Sequence, residues 1–226
     1  MKCSSRFVAC LALIAVTFCV AQRGVKASEL ESTFGSLDII TPPASLNEGD
    51  LEDTDTAVIF AERQRVLLAA DLSVDAINFG AEVQGSTNTA VAGVIPAGRM
   101  VDSYLVHFDP VGQPTDLNVT VSWSAIFEFG DRILGAIYSD ELLDASDFLG
   151  APGTTYPTGV EFRGTTGDQE GNDGFIWGQI RVFQGLQSVT VAVDQFRIIL
   201  QVPEPTSLAM GAPVLFVLAF RRRRIL

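Results

Sequence analysis

Cysteine is absent after position 19; the three present are Cys3, Cys10 and Cys19. A domain formed by the rest of the chain therefore has no disulfide framework, no thiolate metal site and no cysteine nucleophile. Histidine is nearly as scarce. His107 stands alone, so any Ser-His-Asp hydrolase would have to use it, and no Gly-x-Ser-x-Gly elbow is present. Zinc, which takes several His or Cys ligands at suitable spacing, is nearly excluded on the same count. No glycine-rich phosphate loop opens a helix. Lysine is confined to Lys2 and Lys26. Between Ser28 and Val202, seven arginines face every one of the chain's 27 Asp and Glu except Glu204. Such a surface repels nucleic acid and anionic lipid. It reads as a solubilising surface, compatible with divalent cations.

Both ends of the chain read as targeting segments. Lys2 and Arg6 precede an apolar run from Phe7 to Ala21, the pattern of a secretory signal peptide. The run is short for a membrane span, which takes about 20 residues. Small residues at Val25 and Ala27 favour cleavage between Ala27 and Ser28, with Ala21 as the alternative site. Phe18 before Cys19 argues against a lipoprotein. At the other end stand Pro203-Glu204-Pro205, an apolar stretch from Leu208 to Phe220, and Arg221, Arg222, Arg223 and Arg224. Two prolines keep the junction extended and accessible. Four arginines favour the cytoplasmic side. About 13 apolar residues make roughly 20 Å of helix, a transient hold in a membrane rather than a full span.

This ending resembles the PEP-CTERM sorting signal: a Pro-Glu-Pro motif, a hydrophobic helix and an arginine-rich terminus. The resemblance implies an exported protein of a Gram-negative-type bacterium, processed by an exosortase in the inner membrane and linked to exopolysaccharide. It implies that Pro203, Glu204 and Pro205 are the recognition residues and Arg221 to Arg224 the retention charges. The expected division is a signal peptide over 1–27, a polar acidic leader over 28–55, a folded domain over 56–201 and the sorting signal over 202–226.

Within the domain, Val119, Val121, Trp123, Ala125, Phe127 and Phe129 alternate with more polar neighbours, the period of a strand with one buried face. Tyr104, Val106 and Phe108 alternate likewise with Leu105, His107 and Asp109. Further strands are expected over 57–60, 66–72, 133–138, 175–183 and 189–200. One short helix is expected over 140–149, opened by acidic residues that suit its dipole and closed by Gly150 and Pro152. Many short strands with little helix predict an all-β fold, an antiparallel β-sandwich of jelly-roll-like order. The stretches Asp102–Pro110, Pro152–Pro157 and Asp194–Arg197 look like uncharacterised exported domains that carry the same sorting signal.

For chemistry, calcium is the most plausible cofactor, because it takes six to eight oxygen ligands. Asp168, Glu170 and Asp173 place oxygens at near-alternate positions in a glycine-rich loop, although the loop departs from the EF-hand pattern. The runs 50–55 and 140–147 are weaker rivals. Trp123, Trp177, Phe127 and Phe175 could stack on sugars, but their alternation fits a core better. Asn118-Val119-Thr120 matches a glycosylation sequon by chance. The leading expectation is a non-enzymatic surface or matrix protein associated with exopolysaccharide. The alternatives are a calcium-dependent carbohydrate-binding module and a polysaccharide-degrading enzyme that uses a carboxylate pair.

Overall fold

Along 121–129 the alternation becomes a strand, with Trp123, Ala125, Phe127 and Phe129 buried and Ser124 and Ile126 exposed. The computed structural model describes residues 29–77, 83–86, 91–112, 121–161, 163–164, 174–177, 182–189 and 193–202. Among these the strands are Leu30–Gly35 (β1), Leu37–Ile39 (β2), Glu52–Asp53 (β3), Ala57–Ala61 (β4), Val66–Leu67 (β5), Leu72–Val74 (β6), Ala76–Ile77 (β7) and Val83–Ser86 (β8). Then come Gly93–Ile95 (β9), Met100–Pro110 (β10), Val121–Phe129 (β11), Ile133–Ile137 (β12), Gly174–Trp177 (β13), Val182–Val189 (β14) and Asp194–Gln201 (β15).

Two larger sheets form, in the orders β1-β11-β14-β13-β8 and β2-β4-β10-β15-β12-β7. They pack face to face. Trp123, Ala125, Phe127 and Phe129 of β11 meet Tyr104, Val106 and Phe108 of β10 and Phe196, Ile198 and Leu200 of β15 in one apolar cluster. At its centre the Trp123 and Phe196 rings lie parallel with centroids 6.2 Å apart. The domain is thus mostly β, a sandwich as expected.

The eight-stranded sheet also buries its other face. Phe60, Val101, Leu105, Ile137 and Ile199 pack there against Leu46, Leu68, Leu72, Ile95, Leu143 and Leu149 from the segments that lie over it. β10 is therefore covered on both sides, and every residue from Val101 to Pro110 is buried. The overlying segments include the helix Asp140–Ala145 (α1) and a 3-10 turn, Asp147–Leu149.

Several boundaries differ from the pattern reading. The 66–72 stretch divides into β5 and β6, because Leu68 donates its N–H to the Arg99 carbonyl and accepts from Gly98 N–H in a turn. The expected strands 175–183 and 189–200 fall on β13, β14 and β15, and residues 178–181 and 190–192 between these lie outside the described residues. The expected helix changes to 3-10 at Ser146, whose hydroxyl donates to the Leu142 and Leu143 carbonyls, the local competition that loosens a helix. Residues assigned to the leader supply the edge strands β1 and β2.

Phe127→Ala should lower unfolding free energy by about 3–5 kcal/mol, whereas the outward Ser124→Ala should stay within about 0.5 kcal/mol. Urea unfolding of both variants measures this. A Phe127→Ala cost below about 1 kcal/mol would mean that the inward face is misassigned.

Candidate functional site

The sheet that β10 crosses buries several polar residues beneath its cover, and they converge. On the covered face, Glu62 follows β4, Ser103 and His107 belong to β10, and Gln195 and Arg197 belong to β15. Arg197 is completely buried. Its Nε and Nη2 donate to the two oxygens of Glu62 at 2.6 and 2.8 Å. Nη1 donates to Ser146 Oγ at 2.5 Å and the Leu143 carbonyl at 3.2 Å, and Nη2 also reaches Asp147 at 3.2 Å. All five N–H groups of the guanidinium are thereby used. Burial pulls the Arg197 pKa down, but the charge and hydrogen bonds of Glu62, together with electrostatic contributions from Asp147 and Tyr156, outweigh it and push it up, so Arg197 stays charged. Glu62 also accepts from Ser103 Oγ at 2.5 Å.

A second interior arginine stands beside it. Arg163 donates from Nη1 to Asp144 at 2.7 Å and to Asp147 at 2.8 Å, and from Nη2 to Asp147 at 2.7 Å. Burial alone would raise the Asp147 carboxyl. Hydrogen bonds and charge from Arg163, with Thr158 and Arg197, hold it below its ordinary range. The Tyr156 ring lies 5.6 Å from the Arg163 guanidinium carbon and 5.7 Å from that of Arg197, within cation–π reach. The next residue, Gly164, leaves no room for a Cβ, which would meet the Tyr138 carbonyl.

Arg163 also sets the state of the histidine. Its Nε donates to Gln195 Oε1 at 2.9 Å, which turns the Gln195 amide nitrogen toward His107 Nδ1 at 3.1 Å. Nδ1 must then accept, and the ring proton resides on Nε2. Burial first, and the Arg163 charge second, pull the His107 pKa down to about 3, so the ring is neutral.

The acidic residues do more than carry surface charge. Asp75 accepts from Tyr138 N–H, Ser139 N–H and the Ser139 hydroxyl at 2.7 to 2.9 Å. Asp53 accepts from Asp55 and Thr56 N–H, Asp71 from Ala97 N–H and Asp140 from Gly164 N–H. Asp109, at the far end of β10, accepts from Gly49 N–H at 2.6 Å. Burial, with the charges of Glu52, Glu48 and Asp50, pushes its pKa up to about 6.

The proposed calcium ligands Asp168, Glu170 and Asp173 lie outside the described residues, as do Ala27, Ser28, Pro203, Glu204, Pro205 and Arg221 to Arg224. The rival runs are described. Asp140, Asp144 and Asp147 are engaged by Arg163, Arg197 and backbone N–H groups. Among the described residues no group of three or more His, Cys, Asp or Glu could hold a metal, and no helix is long and apolar enough to cross a membrane. Trp123 and Phe127 lie in the core. Glu62 and Arg163 were not singled out from the sequence, and Gln195 and Arg197 were noted only within the stretch Asp194–Arg197, without a role. The available signal was an arginine inside the apolar run Phe196 to Leu200, on the same face as Ile199.

These features define an all-β domain with a buried ionic centre beneath a covering layer. Set against family models, curated proteins and solved structures, the chain matches none.

Arg197→Met should cost about 3–5 kcal/mol in chemical unfolding, because Glu62 is left buried without its partner. Removing both charges in Arg197→Met/Glu62→Met should cost less than the sum of the two single changes; strict additivity would contradict a coupled pair. For Asp109, the raised folded pKa means that its contribution is fully present below its ordinary 3.8 and lost as pH rises through about 6. The stability difference between wild type and Asp109→Asn should therefore change across pH 4–7 in that sense. A difference independent of pH would refute the assignment.

Proposed function

We propose that the chain is an exported, exosortase-sorted protein of a bacterial surface or extracellular matrix, non-enzymatic and associated with exopolysaccharide. The carrying observation is the order Pro203-Glu204-Pro205, an apolar stretch and Arg221 to Arg224, together with the signal-peptide pattern over 1–27. Each part has a mechanical role in delivery: an accessible breaker, a membrane-seeking segment and a stop set by charge. The state of His107 supports a non-catalytic reading. The one base available to a nucleophilic triad is enclosed, and Gln195 occupies its Nδ1.

We also read the fold as jelly-roll-like. The support is that β10, β11, β12 and β13 alternate between the two sheets, while β14 and β15 each insert between two of them. That is the pairing of two intertwined Greek keys.

In an exosortase-bearing bacterium, intact mass should show a product that begins near Ser28 and ends near Pro205. Changing Pro203, Glu204 and Pro205 to alanine should leave the uncleaved chain in the inner-membrane fraction. A wild-type product that keeps Arg221 to Arg224 would remove processing from the account.

A further inference from the structure

The central strand β10 ends in opposite charge. Its first residues pair with β5, Met100 opposite Leu67 and Val101 opposite Val66. Around that start Arg63, Arg65 and Arg99 are all exposed. Among the described residues, the salt bridges all belong to Arg163 and Arg197, and none reaches these three. In a chain with 27 Asp and Glu against 15 Lys and Arg, the composition itself offers carboxylate partners in excess. Arg63 Nε donates to the Gly150 carbonyl at 3.2 Å, and Arg65 and Arg99, left without a carboxylate at a shared end of the sheet, are available to a partner from outside.

The backbone at this end gives an independent indication. Arg65 has φ 58°, the one non-glycine residue with positive φ among those described. A long side chain rarely occupies that region, and where it is held there the strain tends to serve a site. The Asp102 carboxylate holds it by accepting the Arg65 N–H. Beside it Leu67 is 62% exposed, which adds an apolar contact.

At the other end β10 pairs with β3, Asp109 opposite Glu52 and Pro110 opposite Asp53. Glu48, Asp50, Glu52 and Asp55 are exposed there. β10 has 11 residues, which separates the two ends by roughly 35 Å at about 3.3 Å per residue. That exceeds the Debye length of about 10 Å at 0.1 M salt, so each end meets a partner through its local charge rather than through the net charge of the domain.

We propose that copies of this chain associate head to tail, the arginine end of one against the acidic end of the next. The two surfaces differ, so the contact is heterologous and, without ring closure, continues into an open chain. A second copy is the occupant the structure favours, since it carries the complementary surface itself. This inference does not rest on the export reading and stands or falls separately from it.

Sedimentation velocity of the full-length protein in mild detergent tests it. At about 20 mM salt the wild type should form species larger than the monomer that grow with concentration, and at about 500 mM these should dissociate. Arg65→Glu/Arg99→Glu and Asp50→Arg/Asp55→Arg should each be monomeric at low salt. Mixed in equal amounts, they should associate again, because their altered ends now match. That recovery also shows that both variants are folded. A monomeric wild type at low salt, or variants that associate alone as the wild type does, would overturn the proposal. Arginine-dependent retention of a monomeric wild type on immobilised polyuronate would also overturn it, and would assign the arginine end to an acidic polysaccharide.

Discussion

A guanidinium removed from water must have an acceptor for each N–H, and Arg197 imposes that condition in the middle of the covered sheet face. Glu62, just after β4, meets two of its donors. The others are met by Ser146, Asp147 and the Leu143 carbonyl, all from the helix and turn that lie over the sheet. Burying the ion therefore requires the cover to sit in one position. Desolvating two charges costs several kcal/mol, so the pair is weak as a source of net stability and strong as a constraint on geometry. Arg163 repeats the arrangement from the same cover, and Tyr156 presents its ring to both.

The consequence runs from packing to function. β10 is buried on both faces, so its alternate positions divide between an apolar core and a polar interior. His107 falls in that interior, where burial and then the Arg163 charge keep it neutral and Gln195, oriented by Arg163, fixes its tautomer. Acidic residues in the loops accept backbone N–H groups that the sheets leave unused. What remains exposed among the described residues is a carboxylate-rich surface with an arginine end.

The alternation at Trp123, Phe127 and Phe129 was legible because period two has one cause, a strand with one face in an apolar core. The helix start at Asp140 was legible for a similar reason, since acidic residues suit the first turn. β10 resisted the same treatment. His107 and Asp109 read as the wetter face of a half-buried strand, and nothing local in the sequence announces a third layer above them. Leu30 and Leu37 lie in short stretches rich in polar residues, so the edge strands resembled a leader. The ionic centre was hidden because its members are separated by 135 residues between Glu62 and Arg197. Only the sheet register brings them together. The proposed sorting motif, Pro203-Glu204-Pro205 with its apolar stretch and arginines, is read from sequence alone and lies outside the described residues.

The measurement that bears most directly on this account is hydrogen exchange on Arg163→Met. If the ionic centre positions the cover, the Leu143, Leu149 and Ala151 amides should lose protection together, while those of Val106 and Phe127 keep theirs. Unchanged protection in the cover, or equal loss across the sheets, would contradict the central claim that buried charge fixes the covering layer on the sandwich.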